Sequence, residues 1–427
     1  MIISNNSFQE DKLNENNRDF ILKDIHQFLY LYLFKGNVTN VPDVVVENLF
    51  DLPHDDLILI KIVHFLLSDE IKDLIKVLPN LIRNLSHSTK NEQKEFKGVI
   101  NGHIDWNNTL KQRLITNFND KSLYVCNPSS KFYDLEENQL LKFLLRKIVY
   151  LKNEYLEFFN SDILLDIENN KTEDWQSIID TNFNISKKVL KKVYFEEITS
   201  INSVSAKHLR KTYKNRNPLY HKVAKAFILY EDLFILNRSD ILNDLIEKRV
   251  IVTLDDDKLF ELYILFNLIK ILPKSTIDLK LVYNKNEYVA EAWINDYLIR
   301  FYYQKIPNIL KNESKYLHLL NKYQINKKVK IPDIIIEFEK NNKFLYRLIE
   351  VKNSSDSNYI RNSLYKVFGY YKDFEGIDVC CLIDKFPVIL IMWSGIKLNK
   401  NYDPFNDEII IFNRQEFLSY LNKLIEC

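Results

Sequence analysis

The sequence predicts an α/β domain at its C-terminal end, with a central mixed sheet flanked by helices, after N-terminal and middle regions that are largely helical. Apolar residues recur every three to four positions through most of residues 18–272, which is typical of amphipathic helices. After Pro273 the apolar period changes to two, which is typical of strands. A helical segment at 358–374 then separates two groups of predicted strands.

The chain has 427 residues, which exceeds the size of one ordinary hydrophobic core and predicts two or three domains. A polar stretch at 86–98 sets a first boundary near residue 95. We therefore divide the chain into a helical region of unassigned role at 1–95, a mostly helical middle region with a few strands at 96–244, and the α/β domain at 245–427.

The spacing of apolar residues also sets the bounds of the predicted helices and strands. The helices cover 18–34, 69–85, 135–159, 186–237, 254–272, 358–374 and 414–425, and residues 98–114 alternate like a strand before a polar turn. Acidic residues open the helix at 135–159, where they suit a helix N-terminus. The strands of the C-terminal domain cover 277–284, 287–295, 297–304, 333–339, 344–352, 378–384 and 387–393.

Composition excludes several classes of protein. The net charge is +1, so affinity for nucleic acid must come from a local patch. None of the four cysteines forms a C-x-x-C pair, so neither a zinc site nor a disulfide framework is expected. The first residues lack the pattern of a signal peptide, and no apolar run approaches about 18 residues. We therefore predict a cytoplasmic protein with no membrane segment.

Known nucleotide-binding and hydrolase motifs are absent from the sequence. It contains no P-loop, no G-x-G-x-x-G, no H-E-x-x-H and no G-x-S-x-G. Any dependence on ATP would therefore come from a partner protein.

Charged residues interrupt two neighbouring strands of the predicted sheet. Asp333 follows Pro332 at the start of one strand, while Glu350 and Lys352 lie on one face of the next. Two carboxylates in one cleft repel each other unless a divalent cation lies between them, and oxygen ligands suit Mg²⁺ or Mn²⁺. The Val351 carbonyl would complete the metal shell, and a lysine there would position water and stabilise charge. The pattern predicts metal-dependent phosphodiester hydrolysis.

Structural explanations of these residues stay open at this point. Asp333 also suits a turn at the start of a strand. Glu350 and Lys352 would also form an ion pair on a solvated face. Glu337 lies on the same face as Asp333 and competes with it as a metal ligand.

A basic strip lies in the middle region. Residues 187–227 contain eleven Lys or Arg and two Glu. Such a strip attracts a phosphate backbone without reading sequence, with Arg210, Lys211, Lys214 and Arg216 as the expected DNA contacts. A solvated helical face balanced by acids elsewhere is the alternative.

The order of elements together with Pro332-Asp333 and Glu350-Val351-Lys352 resembles the PD-(D/E)xK nuclease superfamily. This resemblance implies a further acid on the helix before the strands, and Glu261 occupies that place as an additional metal ligand. A partly exposed helix residue is the alternative for Glu261. It also implies that the segment after Lys352 lies beside the scissile phosphate, with Lys366 and Tyr370 as DNA contacts. An aromatic stripe packed on the sheet would equally explain Tyr370.

Roughly residues 80–385 resemble McrC-like proteins, most clearly at Gly102-x-Ile104-Asp105-Trp106, Glu137-Asn138 and Phe260-Glu261-Leu262. McrC is the nuclease subunit of a modification-dependent restriction system that works with the McrB GTPase, and related nucleases accompany AAA+ ATPases. Carried over, Asp333, Glu350 and Lys352 form the catalytic set, with Glu261 added. McrC-like proteins commonly carry Asp at the position of Glu350, and residues 1 to about 90 match no part of the family.

These patterns predict a Mg²⁺- or Mn²⁺-dependent DNA endonuclease of a prokaryotic restriction or antiviral defence system, with an AAA+ partner. Attack of water on phosphorus in one step would leave 3′-hydroxyl and 5′-phosphate ends. A stand-alone RNase, a structure-specific nuclease and a non-catalytic nucleic-acid-binding subunit are the alternatives. The sequence leaves open whether the chain forms a homo-oligomer.

Overall fold

A computed structural model describes residues 15–33, 37–39, 52–117, 120–156, 175–253, 255–282, 287–325, 330–354, 356–375, 380–383, 387–394 and 407–425. The α-helices in these ranges are α1 Glu15–Ile25, α2 His54–Leu67, α3 Asp69–Arg83, α4 Trp106–Thr116, α5 Glu136–Leu156, α6 Trp175–Leu190, α7 Val193–Glu197, α8 Ala206–Tyr213, α9 Tyr220–Phe234, α10 Ser239–Lys248, α11 Asp256–Lys270, α12 Asn308–Asn312, α13 Lys315–Lys322, α14 Ser357–Phe374 and α15 Arg414–Tyr420.

The strands in the described ranges are β1 Asn37–Thr39, β2 Ser88–Asn91, β3 Lys94–Lys97, β4 His103–Ile104, β5 Leu123–Asn127, β6 Ser129–Phe132, β7 Val250–Val252, β8 Asp278–Leu279, β9 Ala290–Ile294, β10 Tyr297–Tyr303, β11 Ile334–Lys340, β12 Lys343–Lys352, β13 Cys380–Leu382, β14 Val388–Met392 and β15 Ile409–Asn413. Short 3₁₀ segments follow α1 at His26–Leu31 and α15 at Leu421–Leu424.

The chain divides into two units by its internal contacts. The first contains residues 1–60, 170–175 and 242–427, and the second contains residues 61–169 and 176–241. The division at 241/242 lies close to the predicted boundary at 244. Residues 61–95, assigned from the sequence to a separate N-terminal region, belong to the same unit as most of the middle region. The three-region organisation itself stays a prediction.

The first unit is built around a mixed sheet. Seven strands follow one another across it in the order β15-β14-β12-β11-β10-β9-β8, and the short β13 pairs with the other end of β12. Strands β8 to β12 form an antiparallel meander, whereas β12, β14 and β15 run parallel. Strand β12 therefore has neighbours on both sides.

The register of the β11–β12 hairpin is set by a two-residue turn. Asn341 and Asn342 have φ values of 53° and 61°, a combination that two-residue hairpin turns require and that asparagine tolerates. Lys340 consequently pairs with Lys343, and the register continues to Ile334 opposite Ile349. The next residues in this register are Asp333 and Glu350, so the turn at one end of the hairpin aligns the two acids at the other.

Helices cover both faces of this sheet. Val367 and Phe374 of α14 lie in one apolar cluster with Leu348 of β12 and Leu390 of β14. Strand residues alternate between faces, so Trp393, directly after β14, points away from this cluster. Trp393 contacts Phe260 of α11, with ring centroids 5.2 Å apart. A crossover helix and a second covering helix thus enclose strands that are apolar on both sides.

The structure confirms the mixed α/β architecture with a sheet in the C-terminal part. It differs from the predicted elements at β8, which is shorter than expected. The sequence analysis gave no bounds for the remaining elements, which are α2, α4, the first part of α6, α10, α12, α13, β1, β2, β3, β5, β6, β7 and β15. Predicted positions 34, 157–159, 254, 283–284, 378–379 and 384 lie outside the described residues. The helix α4 was missed because Asp105, read as part of a polar turn, caps it by accepting a hydrogen bond from Asn108 N at 3.0 Å.

The second unit is organised by helix packing, with α5 against α8 and α9, and α3 against α9. A buried polar network links them. Asn138 of α5 donates to the carbonyls of Ser86 and Tyr133, both at 2.8 Å, and accepts a hydrogen bond from the Tyr220 hydroxyl. No helix in the described ranges has both the length and the apolar character that crossing a membrane requires.

His64 of α2 supplies a stability prediction. Burial lowers its pKa from the ordinary value of 6.5 to about 4. Between these two values His64 is protonated in the unfolded chain but neutral in the folded chain. The folded state therefore loses stability as the pH falls from 6.5 towards 4. We expect His64 to contribute a loss of about 2 kcal/mol in the free energy of unfolding between pH 7 and pH 5.

Urea unfolding of the wild type and of His64→Leu at both pH values measures this loss. The variant should show a pH dependence smaller by that amount. Equal pH dependence in the two proteins would show that His64 does not titrate in this range.

Candidate active site

The two predicted acids lie at one end of the β11–β12 pair and are shielded from solvent. Glu350 is fully buried and Asp333 is 8% exposed. The backbone N–H of Val351 donates to Asp333 Oδ2 at 2.8 Å, which fixes that carboxylate against β12. Burial, and then the nearby Glu350 carboxylate, raise the pKa of Asp333 above its ordinary value. Two carboxylates therefore share a low-dielectric site that favours a cation.

The ammonium of Lys352 fills this site. Its Nζ lies 2.5 Å from Glu350 Oε1, 2.8 Å from the Val351 carbonyl oxygen and 3.2 Å from Asp333 Oδ2. Burial alone would lower the pKa of Lys352, but Asp333 and Glu350 together raise it, so the side chain stays charged. The three oxygens predicted to hold a metal thus converge on one positive charge.

A second ammonium reaches the same carboxylate from helix α14. Lys366 Nζ lies 2.5 Å from Glu350 Oε1, so this oxygen is shared between two lysines. The other oxygen, Oε2, is buried and has no hydrogen-bond partner among the described residues. A buried, unpaired carboxylate oxygen is costly, and a further positive ligand would satisfy it.

Glu261 approaches from helix α11, where it is only 7% exposed. Its Oε2 accepts hydrogen bonds from the Tyr303 hydroxyl at 2.9 Å and from Gln304 Nε2 at 2.7 Å. Burial, followed by the Asp333 carboxylate, raises the pKa of Glu261 to about 7. The predicted third acid is therefore close enough to Asp333 to interact with it electrostatically.

Gln304 connects Glu261 to Asp333. Its side chain binds Glu261, while its backbone N–H donates to the Asp333 carbonyl oxygen at 2.8 Å. The φ of Gln304 is 48°, in the left-handed region that costs a non-glycine residue of the order of 1 kcal/mol. Sequence reasoning missed both Gln304 and Tyr303, because a residue after a strand carries no pattern that reveals a left-handed turn.

Asp257, one helical turn before Glu261, was also missed. Burial and then Asp255 raise the pKa of Asp257, and the positive charge of Lys352 acts in the opposite direction. Its spacing of four residues from Glu261 on α11 was the available signal, since such residues share a helix face.

The donor set fits a hard divalent cation. Two carboxylates and one backbone carbonyl surround the Lys352 ammonium, and oxygen ligands of this kind are those of Mg²⁺ and Mn²⁺. Within the described residues no three His, Cys, Asp or Glu side chains lie close enough together to hold a metal. The third ligand oxygen here belongs to the backbone of Val351, and Lys352 would have to withdraw to admit the ion.

Tyr370 lies inside the protein rather than at a surface. It is 4% exposed, and its hydroxyl donates its one hydrogen to the Ile331 carbonyl at 2.8 Å. Burial, then Glu350 and Asp333, raise the pKa of Tyr370 well above the ordinary range. This position favours the packing role over the DNA contact, which stays a prediction.

Glu337, the alternative metal ligand, belongs to a separate network. It accepts hydrogen bonds from Arg300 at 2.8 Å, Tyr302 at 3.1 Å and Tyr346 at 2.8 Å. These donors satisfy both carboxylate oxygens, so Glu337 has no need of a metal.

The four predicted DNA contacts of the basic strip, Arg210, Lys211, Lys214 and Arg216, are all exposed. Lys211 pairs with Glu136 at 2.8 Å. Tyr213 is exposed and stacks on His221, with ring centroids 5.2 Å apart, whereas Tyr220 is fully buried. The strip is accessible, and its contact with DNA stays a prediction.

Comparisons with known proteins add little to this geometry. No family model matches the sequence, and no curated protein sequence matches it. Among solved structures, the chain is similar to one from a tetradecameric assembly of Thermococcus gammatolerans McrB AAA+ hexamers with bound McrC, at 13% identity, over 96% of this chain and 78% of that chain. The TM-score of 0.23 is too low for this similarity to support a conclusion about fold or function.

Proposed function

We propose that this protein is a metal-dependent endonuclease that hydrolyses phosphodiester bonds in DNA. The observation that carries the proposal is the convergence of Asp333, Glu350 and the Val351 carbonyl on a single cation, here the Lys352 ammonium. A salt bridge serving stability alone would not explain why Glu350 Oε2 is left buried and unpaired.

Each residue of the site has a distinct task in this proposal. Asp333, Glu350 and the Val351 carbonyl would hold Mg²⁺ or Mn²⁺, with Glu261 as a neighbouring acid. When bound, the cation would supply Lewis acidity and neutralise phosphate charge. Lys352, attached to the same strand, would orient the attacking water and stabilise negative charge on the phosphate oxygens. Lys366 would act as a positioning residue that holds the Glu350 carboxylate in place.

The biological setting is part of the same proposal and rests on the resemblance to McrC-like proteins. We infer a role in prokaryotic restriction or antiviral defence, with an AAA+ NTPase as partner. The exposed cations of the basic strip would contact the DNA backbone or the partner. An AAA+ motor that assembles with the purified chain and changes its nuclease activity would support this setting.

Cleavage of supercoiled plasmid DNA tests the chemistry. We expect nicked and linear products with Mg²⁺ or Mn²⁺ and none with EDTA, because the Asp333 and Glu350 carboxylates need the cation to bind phosphate. The products should carry 5′-phosphates and be sealed directly by DNA ligase. Cleavage that continues in EDTA would contradict the proposal.

A further inference from the structure

Gln304 has a backbone conformation that its residue type does not favour. Its φ is 48°, and among the described residues seven residues other than glycine have a positive φ. Five of these are Asn or Asp, which tolerate this region, and the other two are Gln304 and Gln324. Gln304 is also exposed, so burial of its side chain in the core does not offset the strain. A strained residue beside a candidate site points to a functional reason for the strain.

The left-handed turn at Gln304 changes the side of the sheet to which its side chain points. Successive residues of a strand point to opposite faces. Tyr302 of β10 belongs to the apolar cluster on the α14 side, and Tyr303 points the other way, to Glu261 of α11. A regular continuation of β10 would return Gln304 to the side of Tyr302. Instead, Gln304 Nε2 donates to Glu261 Oε2 at 2.7 Å, so two consecutive residues bind the same carboxylate oxygen.

These two hydrogen bonds hold Glu261 by one oxygen. The Tyr303 hydroxyl and the Gln304 amide both donate to Oε2, and no described residue donates to Oε1. Both donors are neutral, so neither competes with a cation for the charge of the carboxylate, in contrast to the Lys352 ammonium at the other two acids. Glu261 is therefore held in place without being neutralised.

The backbone of Gln304 ties the same residue to the strand that carries Asp333. Its N–H donates to the Asp333 carbonyl oxygen at 2.8 Å, directly beyond the β10–β11 pair of Tyr303 with Ile334. One residue thus connects the strand of Asp333 to the helix of Glu261. Two carboxylates repel each other, so without this connection Glu261 would turn away from Asp333.

We propose that Gln304 is a positioning residue of the candidate metal site; this rests on the proposed function. It holds the Glu261 carboxylate close enough to Asp333 for the charge of Glu261 to strengthen the attraction of the site for a divalent cation. The strained φ is the conformation that brings the Gln304 amide to Glu261. Residues that hold the acids of a metal site in place typically contribute about 10- to 100-fold to metal affinity.

Titration calorimetry of the full chain with Mn²⁺ tests this proposal. Gln304→Gly relieves the strained φ and removes the amide, whereas Gln304→Asn tolerates the same φ but is shorter by a methylene group. Both variants should bind Mn²⁺ at least about 10-fold more weakly than the wild type. The matched control is Gln324→Gly, at the other glutamine with a positive φ, 54°, beyond the end of α13. This control should keep the Mn²⁺ affinity of the wild type.

A second background separates positioning from a general structural effect. In Glu261→Gln the acid that Gln304 holds is already lost, so adding Gln304→Gly should not weaken Mn²⁺ binding further. A merely structural role would weaken Mn²⁺ binding by the same factor in both backgrounds. Urea unfolding in EDTA verifies that each variant is folded.

Two results would overturn the proposal while the metal site stands. One is a wild-type Mn²⁺ affinity in both Gln304→Gly and Gln304→Asn. The other is equal weakening by Gln304→Gly with Glu261 and with Gln at position 261. Absence of Mn²⁺ binding by the wild type would overturn the proposed metal site and this role of Gln304 together.

Discussion

Replacing Lys352 with alanine should reduce metal-dependent DNA cleavage by about 10²- to 10³-fold, as removal of a group that stabilises transition-state charge typically does. Asp333→Ala should have a similar effect, because it removes a carboxylate that also fixes the Val351 backbone at 2.8 Å. Rates of plasmid cleavage in Mg²⁺ and Mn²⁺ measure both. Losses from residues that act together need not add, so the double variant should be little worse than either single one.

Lys343→Ala is the matched control for this series. Lys343 lies on the same strand, β12, but at its exposed start beside the hairpin turn. This variant should cleave at the wild-type rate. Cleavage that persists in both Lys352→Ala and Asp333→Ala would show that the reaction occurs elsewhere on the protein.

Replacing Lys352 with methionine should also strengthen metal binding, by about 100-fold. In the wild type the ammonium occupies the place of the cation, and it forms two hydrogen bonds to carboxylates that are worth roughly 1.5 kcal/mol or more each. Methionine preserves most of the side-chain volume without competing for those oxygens. Titration calorimetry with Mn²⁺ measures the change in Kd.

The same variant thus separates binding from catalysis, since it should bind Mn²⁺ more tightly while it no longer cleaves DNA. Lys343→Met should leave the Mn²⁺ affinity unchanged, and Glu350→Ala should remove Mn²⁺ binding. A weaker or unchanged Mn²⁺ affinity in Lys352→Met would mean that Asp333 and Glu350 form a structural ion-pair cluster and not a metal site.

The apolar period predicted the sheet well where strands are long. Strands β10, β11, β12 and β14 lie where alternation or a continuous apolar run placed them. The two-residue turns at Asn295-Asp296 and Asn341-Asn342 were readable too, since such residues tolerate positive φ. Helices α12 and α13 were missed because they are short and depend on contacts, such as that between Ser314 and Asp373, that no local pattern reveals.

Sequence spacing also predicted that Asp333, Glu350 and Lys352 lie close together, because the start of one strand and the end of the next meet at the same edge of a hairpin. The observed register, with Ile334 opposite Ile349, places Asp333 beside Glu350. Sequence spacing did not predict which lysine pairs with which carboxylate in the site. Lys366, predicted as a DNA contact, binds Glu350 across 16 residues of sequence, and its contact with DNA stays a prediction. Glu261 was placed only by resemblance, and its link to Asp333 through Gln304 depends on a backbone conformation that sequence does not encode locally.

The central position of β12 affects how much backbone entropy the site loses when a ligand binds. This strand is paired with β11 as far as Ile349 and with β14 as far as Lys352, and Val351 N donates to the Asp333 carboxylate beyond the β11 ladder, so freeing the end of β12 breaks the β14 ladder and this contact together. Local openings of a protein occur mainly where such constraints are few. The backbone at Glu350 and Val351 is therefore already ordered in the folded protein. A ligand that binds there causes little further loss of backbone entropy.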